Sequence, residues 1–423
     1  MNIQIHRGLE QIGGCITEIS TATSRIFVDM GQNLPGNGEQ TTPEQDKAMV
    51  ENLFRNNRKE HEAVIYTHAH EDHIGLFDYV PTGIPQYLGE GAKEIILEKY
   101  RLLCEADKLT GNDPETNLRK RAKLKAFKTW PRSSKPEPFQ IGDISITPFY
   151  NCHSIYDSYM FLIEAEGKRI WHTGDYRQHG WTGGKLLKLL KWKATDIDVL
   201  ITEGTMLSRN DECITEKEVA FKMEHVMKAF KYVFVLASST DIERLASINL
   251  AAKNAHKPLF VCAGLMNAAM RIFKRRESKE PGDLFDFNPR YYNQERHLET
   301  MKKRGFVMVA GVSQFDRVEA LHSLLPEDET LFVYSTWDGY YKDPEQIEQN
   351  PAYKLFRESF HNVVDIHTSG HASRQTIKDV IETVRPKHAI IGIHKDKGQM
   401  LDSLEFNNEI KKIIINSNSM ELQ

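Results

Sequence analysis

The sequence predicts an α/β fold in two parts, and three observations carry that reading. Short apolar, strand-like runs end in residues that bind metals. After about residue 207 strand and helix patterns alternate, and the last sixty-odd residues return to the strand-then-histidine pattern of the first half. The clearest run is Ala63-Val64-Ile65-Tyr66, a buried strand by composition, which leads into Thr67-His68-Ala69-His70-Glu71-Asp72-His73-Ile74-Gly75. His68, His70, Asp72 and His73 have the spacing H-x-H-x-D-H. A strand end that delivers several imidazoles and a carboxylate to one point suits two divalent metals sharing a water. One structural zinc would not need it.

The other elements follow in order. Gly13-Gly14 precedes two early strands at 16–19 and 25–28. Residues 91–108 and 116–128 look helical, and Pro131 to Pro138 makes a break. Strands return near 144–149, 159–164 and 168–172. His153 lies just past the first of these, and Asp175 ends Ile170-Trp171-His172-Thr173-Gly174-Asp175, where a strand breaks at glycine and projects a carboxylate. Strand runs beginning at Tyr232, Pro258, Gly305 and Thr330 then alternate with amphipathic stretches. That alternation implies a parallel sheet covered by helices, an inserted cap domain at 207–358. Segments 1–206 and 359–423 make the main domain. The chain should re-enter it through Val363-Val364-Asp365-Ile366, pass a helix at 373–384, and reach His394 at the end of Ala389-Ile390-Ile391-Gly392-Ile393.

The bulk numbers set limits. A chain of 423 residues can bury two or three cores, and 40% hydrophobic with 27% charged residues is ordinary for a soluble globular protein. No signal-peptide core or apolar stretch of membrane-spanning length is present. Cysteines 15, 104, 152, 213 and 262 are scattered and lack C-x-x-C spacing, which reads as free thiols in a reducing, cytoplasmic setting. A net charge of −4 weighs against a protein coated in nucleic acid. Two basic runs, 119–125 and 274–276, are either solvated helix faces or local guides for a polyanion.

Asp29, in Ile26-Phe27-Val28-Asp29-Met30-Gly31, completes an order of motifs: Asp29, H-x-H-x-D-H, His153, Asp175, His394. This order resembles the metallo-β-lactamase-fold hydrolases, and implies an αββα sandwich. Glu203, ending Val199-Leu200-Ile201-Thr202-Glu203, and His371, in His367-Thr368-Ser369-Gly370-His371-Ala372, resemble the acidic and histidine motifs of the β-CASP branch. His394 is similar to that branch's last histidine, and the insertion to its β-CASP cap domain. Thr-His-x-His-Glu-Asp-His-Ile-Gly, His-Ser-Ile-x-Asp-Ser, His-Thr-Gly-Asp and Ser-Gly-His-Ala are most similar to bacterial ribonuclease J. Two departures stand out. Lys395-Asp396 replaces the Gly-Glu usual in that family, and the sequence stops at Gln423 without its extra C-terminal domain.

The expected site follows. His68, His70 and His153 would hold one metal, Asp72, His73 and His394 the other, with Asp175 bridging. Nitrogen and oxygen ligands without thiolate suit Zn²⁺, with Mn²⁺ or Fe²⁺ as alternatives. Asp72, His371 and Glu203 would carry the chemistry, His371 as general acid held by Glu203. His367, Thr368, Ser369, Gly370 and His371 would cradle a substrate phosphate. The rings in Ser335-Thr336-Trp337-Asp338-Gly339-Tyr340-Tyr341, taken as the end of the last cap strand, could stack on a base or simply pack as a turn. The resemblance implies a nuclease acting on RNA or single-stranded DNA, and a homodimer by analogy. A hydrolase for a small phosphodiester or other small ester is the competing expectation.

Overall fold

The computed structural model describes residues 1–36, 38–209, 213–395, 401–406, 414–415 and 417–422. The chain divides into two compact units. One holds Met1–Gln178, Thr182–Glu212 and Gly370–Gln423; the other holds His179–Trp181 and Cys213–Ser369.

The first unit contains two mixed sheets. Along the chain, the strands of its first half are β1 (Asn2–Arg7), β2 (Ile16–Ser20), β3 (Ser24–Val28), β4 (His61–Ile65), β5 (Gln86–Gly89) and β6 (Lys128–Trp130). They are followed by β7 (Phe139–Ile141), β8 (Ile144–Asn151), β9 (Ser158–Ala165), β10 (Lys168–His172) and β11 (Val199–Glu203). The second unit supplies β12 (Tyr232–Leu236), β13 (Leu259–Val261), β14 (Arg290–Tyr291), β15 (Phe306–Ala310), β16 (Thr330–Tyr334) and β17 (Val363–Asp365). The chain then returns with β18 (Ala389–Ile393), β19 (Ile414–Ile415) and β20 (Ser419–Glu421). One seven-stranded sheet has the order β20-β1-β2-β3-β4-β5-β6, the other β19-β18-β11-β10-β9-β8-β7.

Side-chain alternation turns these sheets into four layers. Ile26, Val28, Ala63 and Ile65 meet Phe161, Ile170, Val199, Ile201 and Ile391 in a core between the sheets. The intervening Phe27 and Val64 face outward, packing with Val50 and Phe54 of helix Pro43–Arg55 and with Ile96 and Tyr100 of helix Glu90–Thr110. On the second sheet, Leu200 and Ile390 pack with Leu190 of helix Leu186–Lys193 and with Ile377 and Ile381 of helix Arg374–Val384. This is the αββα sandwich of a metallo-β-lactamase fold, and its strand ends position the ligand motifs.

The inserted unit is a six-stranded, wholly parallel sheet, β14-β13-β15-β12-β16-β17. Its central strands are buried along nearly their whole length, as sheets covered on both faces require. Several expectations change with the structure. Val363–Asp365 does not lead into the main domain; it is the edge strand of the inserted sheet, paired in parallel with β16 through Phe332↔Val363 and Tyr334↔Asp365. The return therefore falls at Gly370 rather than 359, the forward boundary at 212/213 rather than 206/207, and the residues after β16 do not end the last strand of the insertion. A three-residue run such as this carries no signal of which sheet it joins; only the register with β16 decides. Finally, the helix expected over 116–128 stops at Lys125, because Lys128–Trp130 pairs with β5.

Candidate metal centre

The H-x-H-x-D-H segment leaves β4 and enters a one-turn helix, Glu71–Ile74. Its path is fixed from beneath by Asp29, which stands past β3 with φ +64°. Asp29 Oδ1 accepts the Thr67 backbone N–H at 2.7 Å, and its Oδ2 accepts from Thr67 Oγ1 and His73 Nδ1, each at 2.8 Å. Its expected structural place is where it lies. Gly31 comes so close to the Asp72 carbonyl that a Cβ there would stand 1.7 Å from the oxygen. Gly174, at φ +54°, makes the turn that aims Asp175 inward.

His68 Nε2 and His153 Nε2 lie 3.1 and 3.2 Å from His70 Nδ1. The other ring nitrogens of His68 and His153 are already held: His68 Nδ1 contacts Thr67 Oγ1 at 2.9 Å and His153 Nδ1 donates to the Gly370 carbonyl at 2.8 Å. That leaves Nε2 of each with its lone pair toward a common point. Across the site, Asp72 Oδ2 is 2.9 Å from His394 Nε2 and 3.7 Å from His73 Nε2. Asp175 Oδ2 sits between the two groups, 3.1 Å from His73 Nε2, 3.7 Å from His153 and His394 Nε2, and 3.8 Å from His68 Nε2. All seven residues expected as ligands thus converge in the first unit.

The chemistry of the cluster fits cations. His73 Nε2 and Asp175 Oδ2 are buried and make no hydrogen bond, although such atoms normally find partners. Burial and neighbouring histidines push His68 well below its ordinary pKa, and burial brings His70 to about 4 and holds His153 well down, so these rings are neutral donors. Burial also opposes charge on His73, but Asp175, Cys15, Asp72 and Asp29 outweigh it and push its pKa up. Three carboxylates, Asp175, Asp72 and Asp29, thus favour positive charge at a point where, in a loaded site, metal rather than a proton would supply it.

Glu203 ends β11, and its Oε2 accepts from His371 Nδ1 at 2.9 Å; that nitrogen is 3.7 Å from Asp175 Oδ2. Burial lowers the His371 pKa, but Glu203, through charge and hydrogen bond, holds it at about 9. The proposed phosphate loop is more committed than its sequence suggested. The division of the chain falls between Ser369 and Gly370. In the second unit Arg244 donates to His367 Nδ1 and to the Thr368 carbonyl, Thr368 Oγ1 donates to Ile214 O at 2.6 Å, and His179 Nε2 donates to the Ser369 carbonyl. The space beside Gly370 belongs to Ser154, whose Oγ would be 2.2 Å from an added Cβ. Thr368 therefore has no hydroxyl proton left for a phosphate, and Gly370 serves the contact with His153.

Some residues were not anticipated as parts of the site. Thr205 Oγ1 touches both His394 and His371. Cys15, read as a free thiol, has its Sγ within 4.8 Å of ligand atoms on His73 and His394. Neither follows a spacing rule; a hydroxyl just past a strand-ending acid was the one available hint. Lys395 is buried, and Asp396 lies outside the described residues. Among the described residues the five cysteines form no disulfide and no helix is long and apolar enough to cross a membrane. Trp337 and Tyr340 pack on each other and Tyr340 stacks on Tyr353, the arrangement of a packed turn.

The sheets, the inserted parallel unit and the ligand cluster define a metallo-β-lactamase-fold chain of the β-CASP type. A family profile described as a beta-lactamase superfamily domain matches residues 44–235. Among curated proteins the chain is similar to ribonuclease J: 25% identical to that of Thermus thermophilus over 90% of this chain and 66% of the relative, and 24% identical to that of Mycoplasma genitalium over 81% and 59%. It thus spans about three fifths of these relatives' length. A crystal structure of a protein of unknown function from Enterococcus faecalis V583 shares the fold, with a TM-score of 0.69, 19% identity and coverage of 93% and 94% of the two chains.

Proposed function

We propose that this chain is a dinuclear metal-dependent phosphodiesterase that acts on RNA or single-stranded DNA. The observation that carries the reading is Asp175 Oδ2, a carboxylate oxygen without a hydrogen bond, ringed by Nε2 of His68, His73, His153 and His394, with Nδ1 of His371 at 3.7 Å. His68, His70 and His153 would hold one cation, Asp72, His73 and His394 the other, and Asp175 both. Zn²⁺ suits these donors, with Mn²⁺ or Fe²⁺ as alternatives. Two such cations, when bound, lower the pKa of a water and neutralise charge building on a phosphoryl group.

The chain's own residues do the rest. Asp29 and the Gly370 carbonyl fix the rings of His73 and His153 so that Nε2 points inward. Glu203 grips His371 through Nδ1–H, so the proton His371 gives to a departing oxygen is the one on Nε2. That pair favours a phosphodiester, whose departing alkoxide needs a proton, over a thioester, whose thiolate departs with less help. The similarity to ribonuclease J supports a nucleic-acid substrate.

The net charge of −4 favours the second reading, a small phosphodiester as substrate. One experiment separates the two: metal analysis, then activity on end-labelled RNA, single-stranded DNA and a small phosphodiester. About two cations per chain with strand cleavage supports the nuclease. Efficient cleavage of the small ester alone, without salt-dependent strand binding, rejects it.

A further inference from the structure

We infer that Thr205 is a positioning residue for the second cation: its hydroxyl holds His394 with the proton on Nδ1 and the Nε2 lone pair free to bind. The role rests on the two-cation reading above and adds a residue to it.

The placement follows from register. β11 and β18 run parallel with Glu203 opposite Ile393. Beyond these paired ends, Gly204 and Thr205 lie beside His394 and Lys395. Gly204 makes the approach possible, since a Cβ there would stand 2.9 Å from Lys395 Cβ and 2.8 Å from Leu207 Cδ1. His394 itself is held in the left-handed region at φ +52°, its N–H donating to the Gly8 carbonyl at 2.6 Å. A non-glycine residue in that conformation needs support from its surroundings.

Thr205 Oγ1 gives that support. It lies 2.7 Å from His394 Nδ1, 3.2 Å from His394 O and 3.2 Å from His371 Nδ1. A hydroxyl has one proton and two lone pairs, and a neutral imidazole has one N–H. The His371 Nδ1 proton is directed to Glu203 at 2.9 Å. If His394 Nε2 binds a cation, its proton must sit on Nδ1, which is buried and needs an acceptor. Thr205 Oγ1 is that acceptor, and its own proton then goes to the His394 carbonyl. Every proton has a place. Without the hydroxyl, the buried Nδ1–H is left unpaired, and the ring gains by moving its proton to Nε2, where Asp72 Oδ2 waits at 2.9 Å. That tautomer cannot ligate through Nε2.

The test compares Thr205→Val, which keeps the shape and removes the hydroxyl, with Thr205→Ser, which keeps the hydroxyl. Zn²⁺ titration of the metal-free chains should show two sites in wild type and in Thr205→Ser. In Thr205→Val the second site should weaken about 10–100-fold, as for other partners that orient ligating histidines, while the first site is unchanged. The metal-free Thr205→Val chain should stay folded, with its unfolding temperature lowered only by the lost hydroxyl bonds, and saturating Zn²⁺ should restore activity. If Thr205→Val does not fold, Thr205→Ala takes its place under the same criterion. Two tight sites in the valine variant, equal loss at both sites, or failure of serine to rescue would each overturn the role. The titration needs no substrate. A wild type that binds two cations yet cleaves no phosphodiester therefore defeats the proposed function and leaves the assignment of Thr205 standing.

Discussion

The two units each bury a cluster of charged and polar side chains, and the clusters differ in whether protein atoms complete them. In the inserted unit, Arg244 forms a two-pronged pair with Glu216 and also donates to Ser335 Oγ, Ser335 O, His367 Nδ1 and Thr368 O. Ser247 and Trp181 extend the network. The donors there meet acceptors. In the sandwich, imidazole nitrogens crowd one another at 3.1 to 3.2 Å, and Asp175 Oδ2 and His73 Nε2 have no hydrogen bond. Buried polar groups cost free energy unless paired. The first cluster is therefore complete as folded, whereas the second, where those two atoms face each other at 3.1 Å without a hydrogen bond, would be completed by bound cations. Burial alone does not mark a functional site; incompleteness does.

The two clusters should fail differently when altered. Asp175→Ala, which removes the side chain proposed to hold both cations, should take the chain from about two bound metals to fewer than one. Turnover should fall beyond the ~10²–10⁴ range of a lost proton donor. Elemental analysis showing two retained metals would remove Asp175 from the bridging role. His371 stands between the two cases, completed on one side by Glu203. His371→Ala should keep both metals and lose ~10²–10⁴ in turnover on a nucleotide leaving group, and much less with nitrophenolate. Equal losses on the two substrates would assign His371 to binding.

Arg244→Met should act on the other cluster. It leaves Glu216 buried without its partner and should cost about 3–5 kcal/mol in denaturant unfolding, with metal content unchanged. Lost metal at full folding would erase the difference between the clusters. The smallest effect concerns strand binding. Within the basic run, Arg119 is paired with Asp78 at 2.8 Å, and Lys123 donates to the carbonyls of Asp78 and Val80. Lys120 and Lys125 are the better probes there. Changing both to Gln should flatten the dependence of log affinity on log salt by about 0.7 for each phosphate that is no longer neutralised. No change would place the nucleic-acid path elsewhere.

The proposed ligand cluster was legible because its signal is local: His68, His70, Asp72 and His73 share one short segment after β4, and His153, Asp175 and His394 each follow a strand-like run. The layers were legible for the same reason, since alternation in Ile26-Phe27-Val28 tells which face is inside. What escaped notice depends on pairing between distant segments. Val363-Val364-Asp365 suits either sheet until β16 claims it. Thr205 meets His394 only because Glu203 lies opposite Ile393, a relation between distant parts of the chain that no spacing rule contains. Thr368 looked like a phosphate donor until the Ile214 carbonyl took its proton. Residue type shows what a side chain can do, and the fold decides whether it is already occupied.

Gly31 has no side chain and no chemistry, yet the Asp72 carbonyl rests against the place where its Cβ would be. The liganding loop is thus shaped by an omission. Adding a single methyl group there would need the backbone at Asp72, and Cys15 beside it, to retreat, and with them the setting of the proposed Asp72 and His73 ligands. In a survey of random substitutions, position 31 should therefore rank with the histidines among the least tolerant, although no assay of ligand chemistry would ever point to it.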